Sequence, residues 1–390
     1  MSGGRAEAGR LALCGNVFPG DALEDVLAAL RGPVASWAAR VRRSGGARRP
    51  GFGLYLGAGA AAQVAREPAA HAELARALDA AGVEVWTANA FPFGGFHGAK
   101  VKERAFQPDW TTPERLQFTL DVAAVLAALM PRGARGSLSS CPLGYGPAAR
   151  AAPAARANLR VAQEALLALE RERGVVLVLA LEPEPDGGFE TVPELAAWLD
   201  REVLDAIAAT DRRIGVCWDL CHSAVVGERA GEVLASLRKT GVPLGKVQVS
   251  AALQVEGEPG PEARSLLEQL SADPWFHQVR GRHRDGRVYA AADLPAYLAE
   301  ATEVRLDGLR VHCHVPVHRE AFGGGLVGTP WRPALAAAWR AGVRDFEVET
   351  YTLPVLPPSF LEEEGLVGTL AAETNAVLAA LAATASQEPA

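Results

Sequence analysis

Apolar residues along this chain follow two patterns. Long Ala/Leu/Arg-rich stretches repeat with helical spacing, and between them lie short apolar runs without internal alternation. The clearest run is GVVLVLALEPEP at 174–185, apolar until Glu182-Pro183-Glu184-Pro185. A run rich in Val and Leu that does not alternate predicts a strand buried on both faces, as in a parallel sheet. The prolines end its pairing, and Glu182 and Glu184, two residues apart, share one side. Nine such strands are predicted, at 11–16, 52–56, 83–89, 136–140, 175–182, 214–219, 246–250, 309–314 and 345–350. Helices are predicted at 22–31, 69–81, 113–130, 154–173, 193–209, 224–239, 261–270, 294–301, 333–341 and 368–383. Several helix-to-strand junctions read Gly-Val: Gly82-Val83, Gly174-Val175, Gly241-Val242 and Gly342-Val343. Glycine there supplies the left-handed cap that ends a helix.

Alternating strands and helices imply an α/β protein with a parallel sheet. Roughly eight repeats over this length favour a (β/α)8 TIM barrel over a doubly wound sheet. Nine strands are one too many, so one is expected outside the barrel. The 250–310 stretch is the poorest in pattern, with Glu256-Gly257-Glu258-Pro259-Gly260 and Gly281-Arg282-His283-Arg284-Asp285-Gly286. An irregular insertion, lid or extra strand is expected there. No linker is visible, so 1–390 reads as a single domain with a loose tail from about residue 384.

Composition narrows the partners. The formal net charge is -7, from 39 basic and 46 acidic residues. Without a basic field, nucleic acid is a poor expectation. The N-terminus is polar and no stretch of about 18 charge-free apolar residues occurs, so neither a signal peptide nor a membrane span is expected. Five scattered cysteines, an odd number, suit a reducing cytoplasm. Cys217 and Cys221 read as strand packing.

The chemistry gathers at strand ends. Strand after strand is apolar until its C-terminal end, where Asn16, Asn89, Glu182, Glu184, Asp219, Gln248, Ser250, His312, His314, Glu347 and Glu349 stand. His222 follows Asp219 by three residues. In a barrel these ends converge at one mouth. Each has a plainer reading: Glu182 and Glu184 as a solvated strand exit, Asp219 as a helix cap, and Glu347 or Glu349 as half of an ion pair inside the barrel. His312 and His314 could be a packed or solvent-facing pair, and His277, His283 and His318 read as surface residues. The convergence outweighs any one position. Glu182, Asp219 and Glu349 offer hard oxygen ligands, Gln248 a neutral oxygen, and His312 and His314 two imidazoles. Such a set suits a divalent metal ion: Mn or Mg, with Co, Fe or Zn tolerated. Glu182, Glu349 and His222 are the candidate proton carriers. Asn16, Asn89, His97, Lys100, Glu184, Ser250 and Glu347 are the candidate substrate contacts; Lys100 lies in a charged loop suited to an anion. No GxSxG elbow, Walker loop or dinucleotide fingerprint occurs in a strand–helix context.

The order LEPEP, WDLCH, a strand ending in Gln248, then FEVET resembles the xylose-isomerase-like TIM barrels, which include sugar and sugar-phosphate isomerases and epimerases. The resemblance implies that Glu182, Asp219 and Glu349 are metal carboxylates, that His222 contacts substrate, and that Glu182 and Glu349 are the proton-transfer pair. Gln248 departs from the family, where a metal-binding His is usual; His312 or His314 would compensate. Longer segments, CGNVFPGD, NAFPFGGFHGAKVKE, GSLSSCPLGY, WFHQVRGR, RVHCHVPVH and EVETYT, resemble the Ebo-operon "metabolite traffic" barrel proteins of the EboE type. That likeness implies a cytoplasmic barrel handling precursors of secondary metabolism, with a small and sometimes phosphorylated metabolite as ligand. It also implies other Ebo-operon proteins as candidate partners; an oligomer is left open. Three functions follow as expectations: a metal-dependent isomerase or epimerase, a metal (iron) oxidase-type barrel, or a non-catalytic metabolite carrier.

Overall fold

A computed structural model describes residues 9–45, 49–96, 101–301 and 304–387. Seven parallel strands come first: β1 (Arg10–Cys14), β2 (Gly51–Tyr55), β3 (Thr87–Asn89), β4 (Arg135–Ser140), β5 (Val176–Leu181), β6 (Ile214–Asp219) and β7 (Leu244–Val249). Six further strands follow: β8 (Leu253–Glu256), β9 (Val279–His283), β10 (Val288–Ala291), β11 (Leu306–Val311), β12 (Ala321–Gly323) and β13 (Leu326–Gly328). The last strand, β14 (Asp345–Val348), closes the barrel in the order β1-β14-β7-β6-β5-β4-β3-β2. Every barrel pairing is parallel. β5 is buried along nearly its whole length, as its unalternating pattern requires. The helix Pro153–Arg173 ends on Gly174 at φ 67°, the left-handed cap expected there.

The surplus strand is the one at 309–314. Its first residues belong to β11, which pairs antiparallel with β8 and β9 in a second, six-stranded sheet ordered β10-β9-β11-β8-β13-β12. This sheet lies between β7 and the helix Arg332–Arg340, so it grows from the loop that leaves the C-terminal end of β7. The insertion thus runs past 310 to Gly328. Apart from β11 its strands are short, and several positions of β9, β10 and β11 are exposed. That weak burial signal is why the pattern fades there.

Local differences have local causes. Helix 58–66, absent from the expectation, follows β2 as Ala58–Arg66. The segment expected as one helix at 224–239 breaks at Gly227, φ 82°, into Leu220–Val226 and Ala230–Thr240. The C-terminal helix is the one described segment long and apolar enough to cross a membrane, 358–385 with mean hydropathy 1.5. Two of its polar residues are turned inward: Thr374 accepts from Trp37 Nε1 of the helix Ala35–Arg43 at 3.0 Å, and Glu373 is fully buried.

Candidate metal centre

The polar strand ends meet at one mouth. β5 stops at Leu181 because Pro183 and Pro185 cannot donate to a ladder. Glu182, just beyond, still pairs through its N–H to Ser140 O at 2.9 Å, which aims its side chain into the barrel mouth. Asp219 ends β6 and caps the next helix, accepting from His222 N at 2.8 Å through Oδ1. Its Oδ2 accepts from Ser250 Oγ at 2.8 Å. The cap reading and the inward-facing reading of Asp219 are therefore both realised. Glu349 follows β14, and its Oε1 accepts from Asn16 Nδ2 at 2.8 Å and Asn89 Nδ2 at 3.1 Å. Glu182, Asp219 and Glu349 each bring a carboxylate oxygen within 4.8 Å of the other two, and all three are buried.

The insertion adds imidazoles. After β11 the chain turns back over the mouth and places His312 and His314 beside His222, with ring centroids 4.6 Å and 5.4 Å from it. Val315 N donates to Ala251 O, and Thr352 Oγ1 donates to His314 O, pinning this arm to the exits of β7 and β14. Each ring offers Nδ1 to an oxygen that can only accept: His222 to Pro183 O at 3.0 Å, His312 to Gln278 Oε1 at 2.7 Å, and His314 to Glu349 O at 2.9 Å. The proton therefore sits on Nδ1 in the neutral ring, and Nε2 carries a lone pair. His222 Nε2 and His314 Nε2 face each other at 3.4 Å. Two lone pairs so placed repel unless a proton or a cation lies between them.

Electrostatics run the same way. Burial, then Glu349 and Asp219, raise Glu182 well above the usual carboxyl range. Burial, then Asp219 and Glu347, push Glu349 up to about 8. Burial lowers His222 to about 4 and also lowers His312 and His314. Buried acids that repel one another, beside imidazoles held neutral, are what a divalent cation would relieve. Glu182 Oε2, Glu184 Oε1 and His312 Nε2 are buried without a hydrogen-bond partner, so donor atoms are left over for such an ion.

The other expected site residues fall in different places. Glu184, Asn16 and Asn89 line the pocket above the acids. Gln248 stands beside Asp219 in the barrel register, with its Oε1 2.6 Å from the Cys217 thiol. Ser250, expected to meet substrate, instead backs Asp219 and accepts from Cys221 N. Glu347, also expected to meet substrate, lies inside the barrel and is ion-paired with Lys246; both are fully buried. The ion-pair reading therefore applies to Glu347, one strand position below Glu349 on the same face. His97 and Lys100 lie outside the described residues. His277, expected on the surface, is buried, with Nδ1 2.7 Å from His312 O and Nε2 2.5 Å from Asp273.

Sequence reasoning passed over Gln278, whose Nε2 donates to Pro185 O at 2.9 Å while its Oε1 fixes His312. It also passed over the pocket's aromatic walls, Phe91, Phe96, Phe106, Trp275, Phe276 and Tyr351. The signal available for Gln278, Trp275 and Phe276 was the conspicuous WFHQVRGR segment itself.

The family model described as "Xylose isomerase-like TIM barrel" matches residues 51–343. No curated protein matches the chain in sequence. Among solved structures, a sugar phosphate isomerase/epimerase of Anabaena variabilis ATCC 29413 is similar with TM-score 0.54 at 14% identity, over 96% of this chain and 99% of that one. A D-allulose 3-epimerase of Methylomonas sp., in complex with D-allulose, gives TM-score 0.47 at 15% identity, over 96% and 99%. A mannonate dehydratase of Streptococcus suis serotype 2 gives 0.47 at 10%, over 98% and 96%. At such identities the first likeness speaks for the fold alone.

Proposed function

This chain belongs to the family of xylose isomerase-like TIM barrels, and on that premise we propose that it is a divalent-metal-dependent isomerase or epimerase. Its substrate would be a hydroxy-carbonyl metabolite: a sugar, a sugar phosphate or a related small molecule. The observation that carries the reading is the meeting of Glu182, Asp219 and Glu349, from three barrel strands, within 4.8 Å. These three would hold the ion, with Gln248 beside them and His314 supplying an imidazole. The ion, when bound, supplies polarisation of a carbonyl and its neighbouring hydroxyl.

The protein's own residues do the rest. Glu182 and Glu349 reach the site from β5 and β14, so they approach a bound carbon from different sides. One removes a proton and the other returns it. Asn16 and Asn89 orient Glu349 by donating to its Oε1. His222, held by Pro183 O, presents Nε2 to accept from a substrate hydroxyl. The Ebo-operon likeness of the long motifs supports a cytoplasmic role in handling secondary-metabolite precursors. The test is metal analysis of the purified protein together with NMR of deuterium uptake from D₂O into a substrate C–H bond. Exchange should need a divalent ion and disappear in Glu182→Gln and Glu349→Gln. Exchange that persists in both variants would refute the assignment.

A second reading rests on the His222, His312 and His314 cluster: iron held there for oxidation of a natural-product precursor. Turnover that requires iron and O₂ without proton exchange would select it. Protein that binds no divalent ion would select a non-catalytic carrier.

A further inference from the structure

The walls of the pocket differ in kind from its floor. The floor is acidic: Glu182, Glu184 and Glu349 all line it. The walls are ring faces and edges. Phe91 and Phe106 meet edge-on at 5.5 Å, and Phe96, Trp275 and Tyr351 form a three-way cluster with centroids 5.3–5.5 Å apart. Phe91, Phe96 and Phe106 come from the segment after β3, Trp275 from the insertion after β7, and Tyr351 follows β14. Trp275 Nε1 donates to Phe96 O at 3.0 Å, and Val101 N donates to Pro274 O at 2.9 Å, so loop and insertion are tied together over the mouth.

Charge among the described residues of the pocket is one-sided. Among the described lining residues Lys102 is the only cation, and it is ion-paired with Asp293. A phosphate needs several donors or cations, and beyond the ion proposed for the floor, whose charge the acids offset, the described walls supply it none that is unpaired. A polyhydroxylated chain finds partners only on the floor, where Glu182 Oε2, Glu184 Oε1 and His312 Nε2 are unpartnered. Each hydroxyl pressed on a ring of the walls loses water without gaining a partner, a cost of roughly 1–3 kcal/mol per group in buried sites. A flat apolar body loses nothing there and gains edge and face contacts with the rings.

We propose that this pocket takes an unphosphorylated metabolite with an aromatic or similarly flat apolar body, whose hydroxy-carbonyl head reaches the acids on the floor. This rests on the metal-dependent reading of the same acids and specifies the substrate class for it. Of the three kinds of hydroxy-carbonyl metabolite named for that reading, it selects the related small molecule over the sugar and the sugar phosphate.

The test uses the full chain loaded with Mn²⁺ and isothermal titration with four compounds: phenacyl alcohol, dihydroxyacetone, dihydroxyacetone phosphate and D-fructose. The first three share one hydroxy-ketone head and differ in what it carries. Phenacyl alcohol should bind at least about tenfold tighter than the other three. Phe276→Ala, a change at a half-buried wall residue, should remove about fivefold of that advantage while leaving dihydroxyacetone unchanged. A sugar or phosphate that binds as tightly as phenacyl alcohol would overturn the proposal. Mn²⁺ binding, followed separately by electron paramagnetic resonance without organic ligand, keeps the two readings apart. If Mn²⁺ binds and phenacyl alcohol has no advantage, the substrate class falls and the metal reading stands. If Mn²⁺ fails to bind but phenacyl alcohol keeps its advantage, the metal reading falls and the wall assignment stands. If neither binds, both fall.

Discussion

Glu373 offers the most direct quantitative test of how the mouth is held together. It sits in the helix Gly365–Ala385, fully buried, and accepts from Val317 N at 3.0 Å and from Thr350 Oγ1 at 2.7 Å. Val317 closes the arm that carries His314, and Thr350 follows Glu349. One carboxyl thus braces both sides of the site. Burial raises Glu373 from its ordinary 4.5 to about 7, against the hydrogen bonds from Thr350 and Val317, which lower it. In the unfolded chain the group loses its proton near 4.5; in the folded protein it keeps it to about 7. Between those values the folded state binds more protons, so stability falls as pH rises and levels off above about 7. The gap, at about 1.36 kcal/mol per pH unit, amounts to about 3 kcal/mol. Glu373→Gln keeps an oxygen for Val317 and Thr350 and carries no charge. It should match the wild type in stability near pH 4.5 and exceed it by about 3 kcal/mol at pH 8. Urea unfolding followed by tryptophan fluorescence at both pH values measures this. A variant no more stable than wild type at pH 8, or one with an undiminished pH slope between the two values, refutes the reasoning.

Two further outcomes follow from the barrel interior. Lys246→Met leaves Glu347 buried without its cation and should cost about 3–5 kcal/mol, most of it recovered by adding Glu347→Gln; urea midpoints of the single and double variants check this. Mn²⁺ affinity should rise with pH up to about 8, where Glu349 loses its proton, and each ion bound at pH 7 should release about one proton or more. Calorimetry in buffers of different ionisation enthalpy counts those protons, and affinity that does not change between pH 6 and 9 would contradict the site as drawn.

How far the chain could be read depended on how locally each feature was encoded. A buried parallel strand needs an unbroken apolar run, so β5 and β6 were plain, and their closing acids stood out because charge at the end of such a run is costly. The Gly174 cap was equally local, since it needs one residue type in one position. The insertion was legible only as a loss of pattern, because most of its strands are short and partly exposed.

The repeating β–α unit and the residue types at the strand ends were set by local chemistry, and the sequence alone carried them. Closure of the barrel decided what those residues became. Two glutamates on one face, Glu347 and Glu349, are equivalent in the sequence. Their neighbours across the barrel are not: Lys246 lies against the first, and Asn16 and Asn89 against the second. Likewise His312 and His314 belong to the insertion, and only its folding back over the mouth brings them beside His222. Contacts between residues 90 or more positions apart leave no periodic trace in a chain, because they depend on where the sheet closes and not on what lies next along the backbone.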